Sequence, residues 1–192
     1  IRHCIAECHR CGITPHLYDE NSYPSGFSGG HVPALVPEAR SRYVTFIQGT
    51  GLQYFPPTYL ALYSWVNGTP ADSLQKSEIS DETEWVAFTL QDLAPMAWHG
   101  ETVYPSLLDP RTTGAFLETT YERYRTELGE LWDTTPSIFT DEPHLPGVMH
   151  GPWSPGLHLT PYVLGQFRQK LGYELIDHLS SLFFDVGDFR KI

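Results

Sequence analysis

Basic residues are scarce in this chain, 12 lysines and arginines against 23 acids, for a formal net charge of −11. The few cations are scattered, so the clustered positive surface that phosphate backbones require is missing and no nucleic-acid partner is expected. There is no run of about 18 apolar residues, which excludes a membrane-spanning helix as an expectation. No basic-then-apolar leader opens the chain. Ile1 instead begins what reads as the tail of a helix already under way, so an upstream segment is expected; a cytoplasmic setting is favoured and secretion stays open. Neither a G-x-G-x-x-G nor a P-loop lysine occurs, which argues against a nucleotide cradle.

Cysteine is limited to 3 residues, Cys4, Cys8 and Cys11. Their C-x3-C-x2-C spacing resembles the cluster motif of radical SAM enzymes, in which three thiolates hold an iron–sulfur cluster. Against that, Ile1, Ile5 and Cys8 recur at helical spacing and Gly12 stands where a helix C-cap belongs, so the thiols read as helix-side packing. A zinc site with His3 or His9 is a weaker alternative.

What the chain does have is 41% apolar content with 14% aromatics, enough for a sizeable core. It also twice ends a short apolar run on acids. Ser137-Ile138-Phe139-Thr140 stops at Asp141-Glu142-Pro143-His144, and reads as a strand covered on both faces. Ile13 to Tyr18 is a second such strand, closed by Asp19-Glu20. A glycine-rich loop from Asn21 to Pro33 follows, with Tyr23 and Phe27 placed to shape a pocket.

Between these strands a short helix is predicted over 37–44, then strands at Tyr59–Val66, closed by the turn signal Asn67-Gly68, and at Trp85–Leu90. These form a β-rich insertion, residues 55–104, with Trp98, His99 and Tyr104 at its exit. Asp109-Pro110 starts the clearest helix, whose face carries Leu117, Tyr121, Tyr124, Leu128 and Leu131. Thr160-Pro161 starts another, with Val163, Leu164, Phe167 and Leu171 inward and Gly172 closing it, and Leu175 to Phe184 gives a last short helix. Helix followed by strand, repeated, predicts parallel strands with helical crossovers. About half of the eight strands of a TIM-type (β/α)8 barrel are counted, so the 192 residues read as a partial barrel whose remainder would be its first partner.

Acids at strand ends, aromatic loops and excess negative charge suit carbohydrate chemistry, in which two carboxyl groups flank a glycosidic bond. One of them must carry a proton, and burial near Trp153 together with a neighbouring carboxylate would favour that. Alternation along a strand allows one of Asp141 and Glu142 to face the pocket, and Glu142 is chosen as the general acid. Asp19, Glu20, Tyr23, Trp98, His99, Asp141, His144 and Trp153 are the candidate substrate-binding residues. Asp19 has a structural alternative, tying down the glycine-rich loop.

The phrases Leu17 to Gly30, Ser106-Leu107-Leu108-Asp109-Pro110, and Ile138-Phe139-Thr140-Asp141-Glu142-Pro143 together resemble a group of large bacterial glycoside hydrolases. That group is similar to the α-L-rhamnosidases of glycoside hydrolase family 106, built on a (β/α)8 barrel with appended β-domains. Thr140-Asp141-Glu142-Pro143 also resembles the Asn-Glu-Pro of related barrel glycosidases, whose glutamate is the acid, with aspartate here in place of the asparagine. The resemblance implies removal of a terminal sugar from a glycan, with inversion, and often a bound calcium, for which Asp19 and Glu20 are the candidate ligands. A noncatalytic carbohydrate-binding protein and a radical SAM enzyme are the alternatives.

Overall fold

The structure is a computed structural model and describes residues 1–145 and 156–187. In chain order the elements are α1 (Arg2–Arg10), β1 (Leu17–Tyr18), α2 (His31–Leu35), β2 (Arg42–Thr50), β3 (Ala61–Val66), β4 (Thr69–Ser73) and β5 (Glu84–Asp92). Then come α3 (Pro110–Phe116), a π-helical stretch (Leu117–Glu122), α4 (Arg123–Leu128), β6 (Ile138–Phe139), β7 (Leu157–His158), α5 (Pro161–Leu171) and α6 (Leu179–Phe183). The fold is mixed α/β, with a curled five-stranded antiparallel half-barrel sheet. No helix among the described residues is long and apolar enough to cross a membrane. The chain divides into two compact units, one of residues 1–41 and 93–145, the other of 42–92 and 146–192.

The first unit is built around a parallel pair. β1 lies beside β6 with Leu17 opposite Ile138 and Tyr18 opposite Phe139. The Leu17 and Asp19 amides extend the ladder by donating to the Ser137 and Phe139 carbonyls. Strand alternation sends Leu17 and Ile138 into a core with Ile5 of α1 and Leu128 of α4. It leaves Tyr18 and Phe139 on the opposite face, 40% and 59% exposed. The expectation of strands covered on both faces is therefore corrected, because helices cover one face only. Among the described residues two parallel strands form, fewer than the half-barrel count. Pro15, which has no amide to donate, lies outside the shortened β1.

The helices carry the stop and start signals expected of them. Gly12 takes φ +69° after α1, and the Ile13 amide reaches back to the Cys8 carbonyl. Arg2 in turn donates through Nη1 to the Glu127 and Leu128 carbonyls, satisfying the end of α4 with a cation. Asp109 caps α3 by accepting from the Arg111 amide at 3.0 Å, with Pro110 in the first turn. The crossover helix is broken in phase by its π-helical stretch, where each turn takes more than the α-helical 3.6 residues. Leu117 therefore rotates out to 46% exposure, against expectation, while Leu128 stays in the core.

The second unit holds the antiparallel sheet in the order β4-β3-β5-β2-β7. β2 and β5 pair over nine residues, from Arg42 opposite Asp92 to Thr50 opposite Glu84. The helix expected over 37–44 is corrected to a 3-10 turn at Pro37–Ala39 followed by β2, since Tyr43, Val44, Thr45, Phe46 and Ile47 are β-branched or aromatic. Val86 and Phe88 of β5 pack with Val44, Leu159, Leu175 and Leu179. Trp85 and Ala87, on its other face, pack with Leu62 and Ile79. Asn67 and Gly68 both take positive φ in the turn joining β3 to β4. α5 starts at Pro161 with Thr160 as its cap and stops at Gly172 as expected, except that Leu171 is exposed.

Candidate functional site

Two strand ends and the glycine-rich loop meet in the first unit, and buried Asp19 fastens them. Only 2% of Asp19 is exposed. Its Oδ1 accepts from the Ser25 hydroxyl at 2.6 Å, and its Oδ2 accepts from Tyr121 at 2.8 Å and Thr140 at 2.7 Å. Ser25 also donates its amide to the Asp141 carbonyl and accepts the Asp141 amide on Oγ at 2.9 Å. Loop, crossover helix and β6 are thus tied to one carboxylate. Asp19 is thus a structural tie through side-chain hydroxyls, and it also lines the cavity that Glu20 borders.

The other acids lie on the opposite side of the strand pair or just beyond it. The Tyr18 phenol donates to Asp141 Oδ2 at 2.6 Å, and the Tyr23 phenol donates to Glu142 Oε2. Hydrogen bonding to Asp141, and next to Glu20, holds the Tyr18 phenol well above its usual titration range. The bond to Glu142 does the same for Tyr23, with burial and then the charges of Glu142, Asp141 and Glu20 adding to it. Alternation predicts that Asp141 and Glu142 point apart. Each receives a phenol of its own, and the strand rule does not govern them, since β6 ends at Phe139 and Glu142 turns through φ +42°, outside extended geometry. Glu142 is exposed, not buried as a raised-pKa acid was expected to be.

Glu20 borders a cavity of about 540 Å³ shared with Asn21, His31, Thr120, Arg123 and Tyr124. Its Oε1 is buried and accepts no hydrogen bond among the described residues. His144 stacks on buried Tyr104, with centroids 5.0 Å apart and planes 6° apart, and its Nδ1 donates to the Glu142 carbonyl at 3.2 Å. His99 is fully buried against the same Tyr104 ring and Phe27, so it supports the acid-bearing segment from beneath and is not open to a ligand. Trp98 is exposed and makes no ring contact with these residues among those described. Trp153 lies outside the described residues.

Sequence reasoning missed Tyr18 and Phe139, whose rings lie 5.3 Å apart on the uncovered face. The signal was present, since period-two alternation puts Tyr18 with Glu20 and Phe139 with Asp141. It also missed Ser25, Tyr121 and Thr140, hydroxyls that nothing local ties to Asp19. The cysteines sit on α1 and at its C-cap, with Cys4 and Cys11 exposed, so they flank a helix without packing beneath it.

Comparison with protein-family models, curated proteins and solved structures gave no match.

A calcium ion needs about six to eight oxygen ligands. Among the described residues no three His, Cys, Asp or Glu side chains stand close enough to hold an ion. Both Asp19 oxygens are already taken by hydroxyl donors. These residues do not fit a calcium site. What the arrangement can do is present two carboxylates, each held by a phenol, beside an exposed aromatic pair: acceptors for hydroxyl groups and a surface for an apolar ring face.

Proposed function

We propose that this chain is part of the catalytic (β/α)8 barrel of a glycoside hydrolase that removes a terminal sugar, of the group similar to the family 106 α-L-rhamnosidases. In this reading β1 and β6 are barrel strands, and the remainder of the domain is the chain's partner. The observation that carries it is the meeting of Asp141 and Glu142, each bound by a tyrosine, at the end of a parallel strand that follows a helical crossover. Glu142 is the general acid. Its proton goes to the glycosidic oxygen as the C1–O bond breaks, and a water attacks C1 from the opposite face after losing its proton to a second carboxylate. That base is assigned to a barrel strand beyond this chain. Asp141 and Glu20 accept hydrogen bonds from sugar hydroxyls, while Tyr18 and Phe139 offer ring faces to the sugar's C–H groups.

A noncatalytic carbohydrate-binding protein is the second reading, favoured by the exposure of Glu142 and Trp98. The whole gene product, assayed on a panel of aryl glycosides that includes 4-nitrophenyl α-L-rhamnopyranoside, separates the two. Hydrolysis with inversion at C1 is expected. Saturable binding of the panel without turnover would favour the binding protein, and neither would remove both.

A further inference from the structure

Glu142 is held in place from several sides. Its backbone sits at φ +42°, where a residue with a side chain is strained, and Ser22, next to Tyr23, sits at φ +66°. Strain of this kind persists only where surrounding contacts enforce it. Here they are the paired bonds between Ser25 and the Asp141 backbone on one side, and the His144 ring donating to the Glu142 carbonyl on the other. The contact that this strained geometry closes is the one between the Tyr23 phenol and Glu142 Oε2.

We propose that Tyr23 is a positioning residue for the general acid, which assigns it a role other than touching the sugar. The inference rests on the glycosidase reading above. With Oε2 engaged by the phenol, Oε1 is the oxygen that presents the proton to the glycosidic bond. The phenol bonds a neutral carboxyl before transfer and a carboxylate after it. Hydrogen bonds to a charged acceptor are roughly twice as strong as neutral ones, so this bond tightens as the proton leaves and favours the transition state over the ground state. The gain amounts to roughly five- to tenfold in rate. The other titratable groups around the pair are Asp141, Glu20, Tyr18 and His144.

The test compares Tyr23→Phe with the unaltered enzyme, both from the whole gene, on methyl and 4-nitrophenyl α-L-rhamnopyranoside or the same pair for whichever sugar the panel returns. On the methyl glycoside, whose leaving group needs a proton, kcat falls roughly five- to tenfold with KM unchanged. On the 4-nitrophenyl glycoside, which departs without one, kcat stays within about twofold. The alkaline limb of kcat against pH also moves up, because the carboxylate has lost a donor and gives up its proton less readily. Equal losses on both substrates, or an unmoved limb, would overturn the proposal. If the phenylalanine variant does not fold, 3-fluorotyrosine at position 23 keeps the shape with a stronger donor, and the limb must then move down; an unmoved limb there overturns it equally. Glu142→Gln, run in parallel, separates the two failures. If it shows no leaving-group-dependent loss, the acid assignment itself fails. If it does and Tyr23→Phe does not, only the positioning role is lost.

Discussion

Replacing Asp19 with alanine removes the acceptor on which three hydroxyls converge. Ser25 is buried and its hydroxyl would lose the acceptor it donates to, at a cost of about 1–3 kcal/mol. Tyr121 is half-buried and Thr140 exposed, so both hydroxyls can turn to water and each loses about 0.5–1 kcal/mol. Removing a buried charge returns some of its desolvation cost, which keeps the net loss at about 3 kcal/mol rather than the sum of three charged hydrogen bonds. In the whole gene product, if the barrel unfolds as a unit of about 150–250 residues, that lowers the melting temperature by roughly 6–12 °C. Asp19→Asn keeps one acceptor oxygen and loses about half as much. Thermal unfolding followed by far-ultraviolet circular dichroism reads both variants, with sugar binding measured well below the transition. An alanine variant that melts with the native protein but no longer binds sugar would refute the structural role and return Asp19 to the ligand.

Asp109 gives a pH-dependent case. The Arg111 guanidinium holds its carboxyl below the usual carboxylate range, so its contribution to stability is complete above the unfolded value and disappears as pH falls through the folded one. Asp109→Asn should thus be less stable than the native protein at neutral pH, with the difference closing in acid; a constant difference from pH 7 to pH 2 would contradict this. Gly49→Ala puts a methyl group 2.5 Å from the Trp85 ring across the β2–β5 ladder and should cost about 1–3 kcal/mol, checked by urea titration. The α1 thiols should leave the protein colourless after anaerobic reconstitution with iron and sulfide, and an absorbance band near ~400 nm with several irons per chain would restore the cluster reading. β1 and β6 pair with no other strand among the described residues, so residues 1–192 expressed alone should be inactive and prone to associate; a cooperative monomer that hydrolyses glycosides would count against the partial-barrel reading.

Much of the local punctuation was legible in the sequence, because it depends on single residues acting on their neighbours. Gly12 ends α1, Asp109-Pro110 starts α3, Thr160-Pro161 and Gly172 bound α5, and Asn67-Gly68 turns the β3–β4 hairpin. The acid-ended strands were visible for the same reason, as apolar runs cut short. β2 was misread as the continuation of a helix because Pro37 and Glu38 open a helical turn that lasts only to Ala39, and the alternating Tyr43 to Ile47 run needs β5 as a partner to declare itself. The site was legible as residue types and not as roles. Asp19 and Glu20 look alike in sequence and both line one cavity, yet Asp19 accepts from hydroxyls at positions 25, 121 and 140 while Glu20 Oε1 accepts no hydrogen bond among the described residues. The rule that neighbouring strand residues point apart does not reach Asp141 and Glu142, because β6 ends at Phe139 and Glu142 takes a left-handed turn.

The most direct measurement is the turnover of Glu142→Gln in the whole gene product, set against the native enzyme on the methyl and the 4-nitrophenyl glycoside. The account predicts a loss of about 10²–10⁴-fold on the methyl glycoside, a much smaller one on the 4-nitrophenyl glycoside, and an unchanged melting profile. Native turnover of both substrates by the glutamine variant would contradict it.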